Sequence, residues 1–329
     1  MAHHLSEHLA AARTELHDRA ALQGGAFRRR DLEVWGMNDA TLRALVRRRV
    51  VLRLRHGLYT DARVLDAARG DERRMHLLDL SAAILSLDHP AFAFGQSAAL
   101  LHGLPMPGRP PGRLDLVRPS GSDLRALTRP SAHEISLPDL RVRTHGIDVA
   151  STLRIEGIPV VSRILAAISA AAQSSPDWAV GILDSVLWAD ADALSSLRRE
   201  LAEWPMLKGS GTVRRALDLA RPGAQTILES LSRVRLCRAG LPEPQLQVPL
   251  YDDNGLIGIV DMDWPDLGVV GEADGALKYT GPEVIIAEKA REDRIRGIGR
   301  EVVRWGWADA QTSMDSIAAL VWSAARRAA

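Results

Sequence analysis

The sequence predicts a multidomain α+β protein, and three observations carry that expectation. At 329 residues the chain exceeds what one ordinary hydrophobic core organises. It is 46% hydrophobic and 25% charged, close to globular averages, which excludes a disordered or collagen-like polymer. Charge is unevenly spread: residues 1–60 hold 11 Arg and Lys against 6 Asp and Glu, residues 61–215 hold 18 against 18, and residues 216–329 hold 13 against 17. The net charge of +1 therefore announces no chain-wide affinity for nucleic acid, but it hides a basic head and an acidic tail. Three segments follow: 1–60, 61–215 and 216–329.

In the first segment, residues 5–21 have helical spacing and end before Gly24-Gly25. Phe27 to Trp35 reads as a second short helix, stopped by Gly36. Asn38 is a good N-cap for a third, Asp39 to Arg49, with Leu42, Leu45 and Val46 on its apolar face. Val51, Arg53 and Arg55 then alternate with Leu52 and Leu54 before a turn at His56-Gly57, which is a hairpin signal. Three helices and a short ribbon are the winged helix-turn-helix order. In that arrangement the third helix enters the DNA major groove and wing arginines reach phosphate or the minor groove. Arg43, Arg47 and Arg48 on the helix, with Arg53 and Arg55 on the wing, are the candidate DNA contacts. A solvated face of an arginine-rich chain is the competing reading, and winged helices also dock proteins.

The middle segment is expected to be helix-rich with short strands. Asp71–Leu87 and Gly95–His102 look helical, the second closed by Gly103 and Pro105. Residues 106–160 are loaded with proline and glycine, yet LDLVRP and DLRVRTHGI alternate as strands do. Helix returns at Ile164–Ala172 and Trp178–Trp204. His102, beside a helix C-terminus, is read as a dipole partner rather than a catalyst.

The last segment reads α-β-β-β-α-β. Thr226 caps ILESLSRVRLCRA; QLQVPLY, LIGIVDMDW and VVGEADG are strands separated by turns; a charged helix runs from Pro282 to Gly299; EVVRWGW is the closing strand; and a final helix covers Asp315–Ala328. Asp261 and Asp263 fall on one strand face, with Val260, Met262 and Trp264 on the other; Glu272 and Asp274 share a face of the next strand. If those strands pair about a turn between Asp266 and Leu267, Asp261 lies opposite Glu272. Two carboxylates so placed sit at a solvent rim, share a proton, or hold a cation. The cation reading has a mechanism: Mg2+ takes carboxylate and water oxygens, lowers the pKa of bound water and neutralises a phosphoryl oxygen. Lys278 could orient that water or bind the scissile phosphate, and Glu229 could add a carboxylate from the preceding helix. Lysine is rare here, Lys208, Lys278 and Lys289 being the only three, which favours a specific use of Lys278.

Glu229 in its helix, then IVDMDW, GEADGALKY and AEKAREDRIRGIGREVVRW, resemble the endonuclease-like domain related to very-short-patch repair nucleases, of the PD-(D/E)XK superfamily, over about 220–312. The resemblance implies a restriction-endonuclease-like fold, with Asp261 as motif aspartate and Glu272 as first acid of the half-motif, both binding Mg2+. Asp274 stands where lysine is usual and Lys278 where relatives carry histidine. It further implies catalytic roles for Asp261, Glu272 and Lys278, with Glu229 and Asp274 in support. The stretch GGAFRRRDLEVWGMNDATLRALVRRRVVLRLRHGLYT resembles the N-terminal domain of AbiEi-type antitoxins, and FGQSAALLHGLP and GIPVVSRILAAISAA look like the rest of that family. That likeness implies operator DNA and a nucleotidyltransferase-like toxin as partners, with a homodimer open. Two functions are therefore carried forward: a Mg2+-dependent DNA endonuclease, or a non-catalytic antitoxin and repressor with a degenerate nuclease fold.

The single cysteine, Cys237, excludes an intramolecular disulfide framework. No apolar run approaches a membrane span, and the N-terminus lacks signal-peptide features, so a cytoplasmic location is expected. No Cys/His zinc spacing, phosphate-cradling glycine loop or G-x-S-x-G motif is present.

Overall fold

A computed structural model describes residues 2–119, 140–145, 147–274, 282–312 and 314–328, with side chains from residue 10 onward apart from Arg55, Pro282 and Ile285. It is a mixed α/β protein whose described residues form three separate sheets, and the chain divides into two compact units, 1–173 and 174–329. Among the described residues no helix is long and apolar enough to cross a membrane.

The first unit begins with α1 (Ala2–Ala21), β1 (Ala26–Arg28), α2 (Asp31–Val34), α3 (Asp39–Arg47), β2 (Val51–Arg55) and β3 (Leu58–Asp61). The strands form an antiparallel sheet of order β1-β3-β2. Phe27, Leu16, Leu32, Leu42, Leu45 and Val51 fill the core beneath it. The expected helix from Phe27 to Trp35 is instead a strand followed by one helical turn. Phe27 pairs with Tyr59 in the sheet and buries its ring completely, while the Asp31 carboxylate accepts the Arg28 N–H at 2.8 Å. Extended pairing with burial outweighs a helical periodicity only nine residues long. Asp61 ends the hairpin: wholly buried, it accepts from Arg13 Nη2 at 3.1 Å and caps the next helix by accepting the Arg63 N–H at 2.7 Å.

The unit continues with α4 (Ala62–Ala68), α5 (Glu72–Leu85), β4 (Phe92–Ala93), α6 (Gly95–Leu101), β5 (Leu114–Pro119), β6 (Leu140–His145), β7 (Leu153–Ile155), β8 (Ile158–Val160) and α7 (Arg163–Ala171). The second sheet has order β6-β5-β4-β8-β7. Buried polar groups stitch helices to it. His76 Nε2 and Ser97 Oγ are 3.0 Å apart, and the Asp115 N–H donates to the same hydroxyl at 3.1 Å. His102 does follow a helix end, but its ring donates to the Val161 carbonyl at 2.8 Å.

The second unit contains α8 (Pro176–Ala189), α9 (Leu194–Ala202), α10 (Ser210–Leu219), α11 (Ile227–Arg238), β9 (Gln245–Asp252), β10 (Gly255–Trp264), β11 (Val269–Ala273), α12 (Pro282–Gly297), β12 (Glu301–Trp305), α13 (Trp307–Thr312) and α14 (Met314–Ala328). The single helix expected over Trp178–Trp204 is interrupted at Asp190, whose carboxylate accepts the Asp192 N–H at 3.1 Å and competes with continuation of the helix. Helices α8 to α10 fold with this unit: Asp184 of α8 and Arg233 of α11 form a buried ion pair at 3.0 Å. The sheet order is β12-β11-β10-β9, with β11 and β12 parallel. Leu228 and Leu236 of α11 and Ile317 and Val321 of α14 pack with Met262, Trp264 and Trp305 against one face. Ile295 of α12 packs with Leu250, Val260 and Val270 on the other. Trp305 is sheet core, its indole N–H donating to Ser232 Oγ at 2.7 Å. Trp307 has left the strand; it opens α13 and stacks on Trp178.

Candidate functional site

Two places hold the residues singled out in the sequence: the centre of the second unit's sheet and the exposed side of α3. In the sheet, β10 and β11 pair as Met262↔Gly271, Asp263↔Val270 and Trp264↔Val269, the register that sets Asp261 opposite Glu272. The ladder stops there. Asp261 Oδ2 accepts the Ala273 N–H at 2.8 Å, so the side chain takes a place a strand carbonyl would have filled. Oδ1 accepts from Gln247 Nε2 at 3.1 Å, and the same nitrogen donates to Glu229 Oε2 at 3.0 Å. Gln247 holds a left-handed backbone, φ 51°, costing about 1–2 kcal/mol for a residue with a side chain. Simple alternation fails at this point. Val260 packs on the α12 face while Met262 and Trp264 pack on the α11 face, so Val260 does not share a face with them as the sequence predicts.

Glu229 is 3% exposed, and its carboxylate is heavily used. It accepts the Gln225 N–H at 2.9 Å and the Thr226 hydroxyl at 2.8 Å, while Thr226 Oγ1 accepts the Glu229 N–H at 3.2 Å. This reciprocal cap gives it a structural role beside any other. Burial raises its pKa, and Asp261 adds to the rise. Asp274 Oδ2 is out of contact with solvent and makes no hydrogen bond; burial raises this carboxyl too, with Arg304 opposing and Asp261 reinforcing.

Glu272 faces elsewhere. Only 6% exposed, it is held on the α12 side by Arg291 Nη1 at 2.6 Å and by Arg304 Nη2 of neighbouring β12 at 2.9 Å, one guanidinium to each carboxylate oxygen. Glu288 of α12 is bonded to the same two arginines. Burial raises the Glu272 pKa against the pull of both guanidiniums. Asp263 is buried 3.6 Å from Arg300.

Asp261 and Glu272 therefore do not fit a shared Mg2+. Each Glu272 oxygen already lies against a guanidinium, and an incoming dication would sit beside two fixed positive charges. Both Asp261 oxygens accept hydrogen bonds from the protein itself. Among the described residues no three His, Cys, Asp or Glu side chains stand together as a metal-binding group. Lys278 lies outside the described residues. The structure thus brings Asp261 together with Glu229 through Gln247, and gives Glu272 to arginines. Gln247, Arg291 and Arg304 were not singled out in the sequence; Arg304 carried one usable signal, its place in a strand beside the half-motif strand. The adjoining Arg294 clamps Asp252 of β9 with two 2.7 Å bonds and holds that carboxyl at about 2.

The arginine helix is simpler. Asn38 accepts the Thr41 N–H at 2.9 Å and starts α3; Leu42 and Leu45 are buried beneath it. Arg43, Arg47 and Arg48 are exposed and make no ion pair among the described residues. Asp39, the acid at the start of α3, is bonded to Arg29, which holds its pKa down. Arg53 on the hairpin is exposed, its guanidinium 2.7 Å from His56 Nδ1; the side chain of Arg55 lies outside the described residues.

No protein-family model matches the chain. Two curated relatives, uncharacterized proteins of Mycobacterium tuberculosis strains CDC 1551 / Oshkosh and H37Rv, are each 26% identical over 166 residues. The match covers 50% of this chain and 61% of each relative. The chain is thus similar, across half its length, to proteins whose names state no activity.

Proposed function

We propose that this chain is a DNA-binding protein that reads duplex DNA with α3 and the β2–β3 hairpin, as a winged helix does, and acts as a repressor-like regulator. The observation that supports this best is a group of three exposed arginines, Arg43 and Arg47 on α3 and Arg48 at its C-cap, none spent on an internal carboxylate, above a well-packed apolar face. Exposed, unpaired guanidiniums are free to replace counterions along a phosphate backbone. Operator binding and capture of a nucleotidyltransferase-like toxin belong to the same proposal through the antitoxin resemblance, as does a homodimer.

For the second unit, the element order α11-β9-β10-β11-α12-β12 favours an endonuclease-like fold. The pairing of Glu272 with Arg291 and Arg304 favours use of that fold for binding rather than for Mg2+-dependent cleavage. The test has two arms. The full chain should retard a labelled duplex in a gel at low salt, and Arg43→Gln with Arg47→Gln should weaken the retardation; no retardation by the wild type would defeat the proposal. In the second arm, plasmid DNA incubated with the protein and Mg2+ should stay intact. Nicking that disappears in Asp261→Ala would establish the endonuclease instead.

A further inference from the structure

The first unit contains a cavity of about 340 Å3 between the strand that precedes α2, the end of α5 and the β7–β8 hairpin. Its volume falls in the range of small-molecule sites. Its walls combine two chemistries. Ile84 and Phe92 provide an apolar side, three arginines, Arg28, Arg30 and Arg154, form a basic one, and Gln23, Ser81 and the exposed Asp88 complete the polar wall. Arg28 is committed to Asp31, at 2.9 Å. Arg154 donates from Nη1 to the Gly157 carbonyl at 2.8 Å, which leaves its charge uncompensated. Arg30 is exposed and forms no ion pair among the described residues.

His89 adds an imidazole to the wall. Its Nε2 is shielded from solvent and makes no hydrogen bond. A buried ring nitrogen without a partner is costly, and native proteins rarely keep one unless something outside the chain satisfies it. A cavity with one apolar side, two spare guanidiniums against the one exposed carboxylate of Asp88, and an unsatisfied imidazole nitrogen matches a small organic anion whose hydrocarbon body lies against Ile84 and Phe92.

We propose that this cavity binds a small organic carboxylate, held by Arg30 and Arg154 with His89 donating to it, and that its occupancy alters DNA binding. The second half rests on the DNA-binding reading above. Its structural route is short. Arg28 ends β1, and the preceding Phe27 packs in the core that holds Leu42 and Leu45 of α3. A ligand against β1 therefore presses on the strand that supports the arginine helix.

The test uses the full chain and four probes: hexanoate and benzoate as carboxylates with a body, 1-hexanol as the body without charge, and acetate as charge without the body. Titration calorimetry should show saturable binding of hexanoate or benzoate at least tenfold tighter than of 1-hexanol or acetate. Arg154→Gln and, separately, the exposed Arg30→Gln should each weaken it at least tenfold, with unchanged circular dichroism. Failure of both carboxylates to bind, or equal binding by 1-hexanol, overturns the site. Gel retardation with and without the bound carboxylate then reads the coupling, expected as a severalfold change in DNA affinity. Unchanged retardation overturns the coupling, whereas no retardation under any condition overturns the DNA reading and leaves the calorimetric result standing.

Discussion

Replacing Arg43, Arg47 and Arg48 together by glutamine gives the sharpest measure of what α3 does. Glutamine keeps helix propensity close to that of arginine, and all three positions are exposed, so folding is spared. Each phosphate contact releases condensed counterions, and log K falls with log salt by about 0.9 per contact on duplex DNA. Three lost contacts flatten the slope by about 2.7. Between roughly 50 and 200 mM salt, the wild type should lose about 40-fold more affinity than the triple variant. Fluorescence anisotropy of a labelled duplex across that range supplies both slopes. Binding of equal slope would show that these guanidiniums do not touch phosphate. A uniform loss of affinity without a change of slope would have the same meaning.

Three further outcomes follow from buried charge. His76 is buried with its pKa depressed to about 4, desolvation being the main cause; its ring stays neutral in the fold but takes a proton in the unfolded chain below 6.5. Stability is thus full above pH 6.5 and falls as pH drops toward 4, by about 3 kcal/mol, which urea unfolding at a series of pH values should record and His76→Gln should reduce. Asp184→Asn takes from Arg233, whose side chain is 3% exposed, its buried partner and leaves it only the partly exposed Glu243 at 3.1 Å, and should destabilise the second unit by about 1.5–3 kcal/mol; Asp184→Leu with Arg233→Met should recover most of that loss in the same assay. Millimolar Mg2+ should leave the melting temperature of the wild type unchanged, because arginines already satisfy Glu272. A Mg2+-dependent rise that vanishes in Asp261→Asn would contradict that reading.

Much of the local structure was legible because its causes are local. Asn38 and Thr226 cap helices since each side chain reaches an N–H three residues on. The β10–β11 register followed from a short turn between Asp266 and Leu267, and it holds where the two strands pair. Where that reasoning failed, a distant partner had intervened. Phe27 joined a sheet through Tyr59 rather than continuing toward α2. Alternation broke at Asp261, where the opposing strand carries the left-handed Gln247.

The candidate site divides in the same way. From the sequence alone came the acids, their strands, the register that sets Asp261 across from Glu272, and the arginine face of α3, all products of periodicity and turn chemistry within short stretches. The tertiary structure alone decided which charges neutralise which. Arg291 arrives from a helix and Arg304 from a parallel strand reached by a crossover, and together they take Glu272. Gln247 joins Asp261 to Glu229 from a third element. A carboxylate's identity can be read from the chain, but its counter-charge depends on which residues the fold brings within about 3–4 Å, and Coulomb energy in a dry interior falls off with that distance rather than with sequence separation.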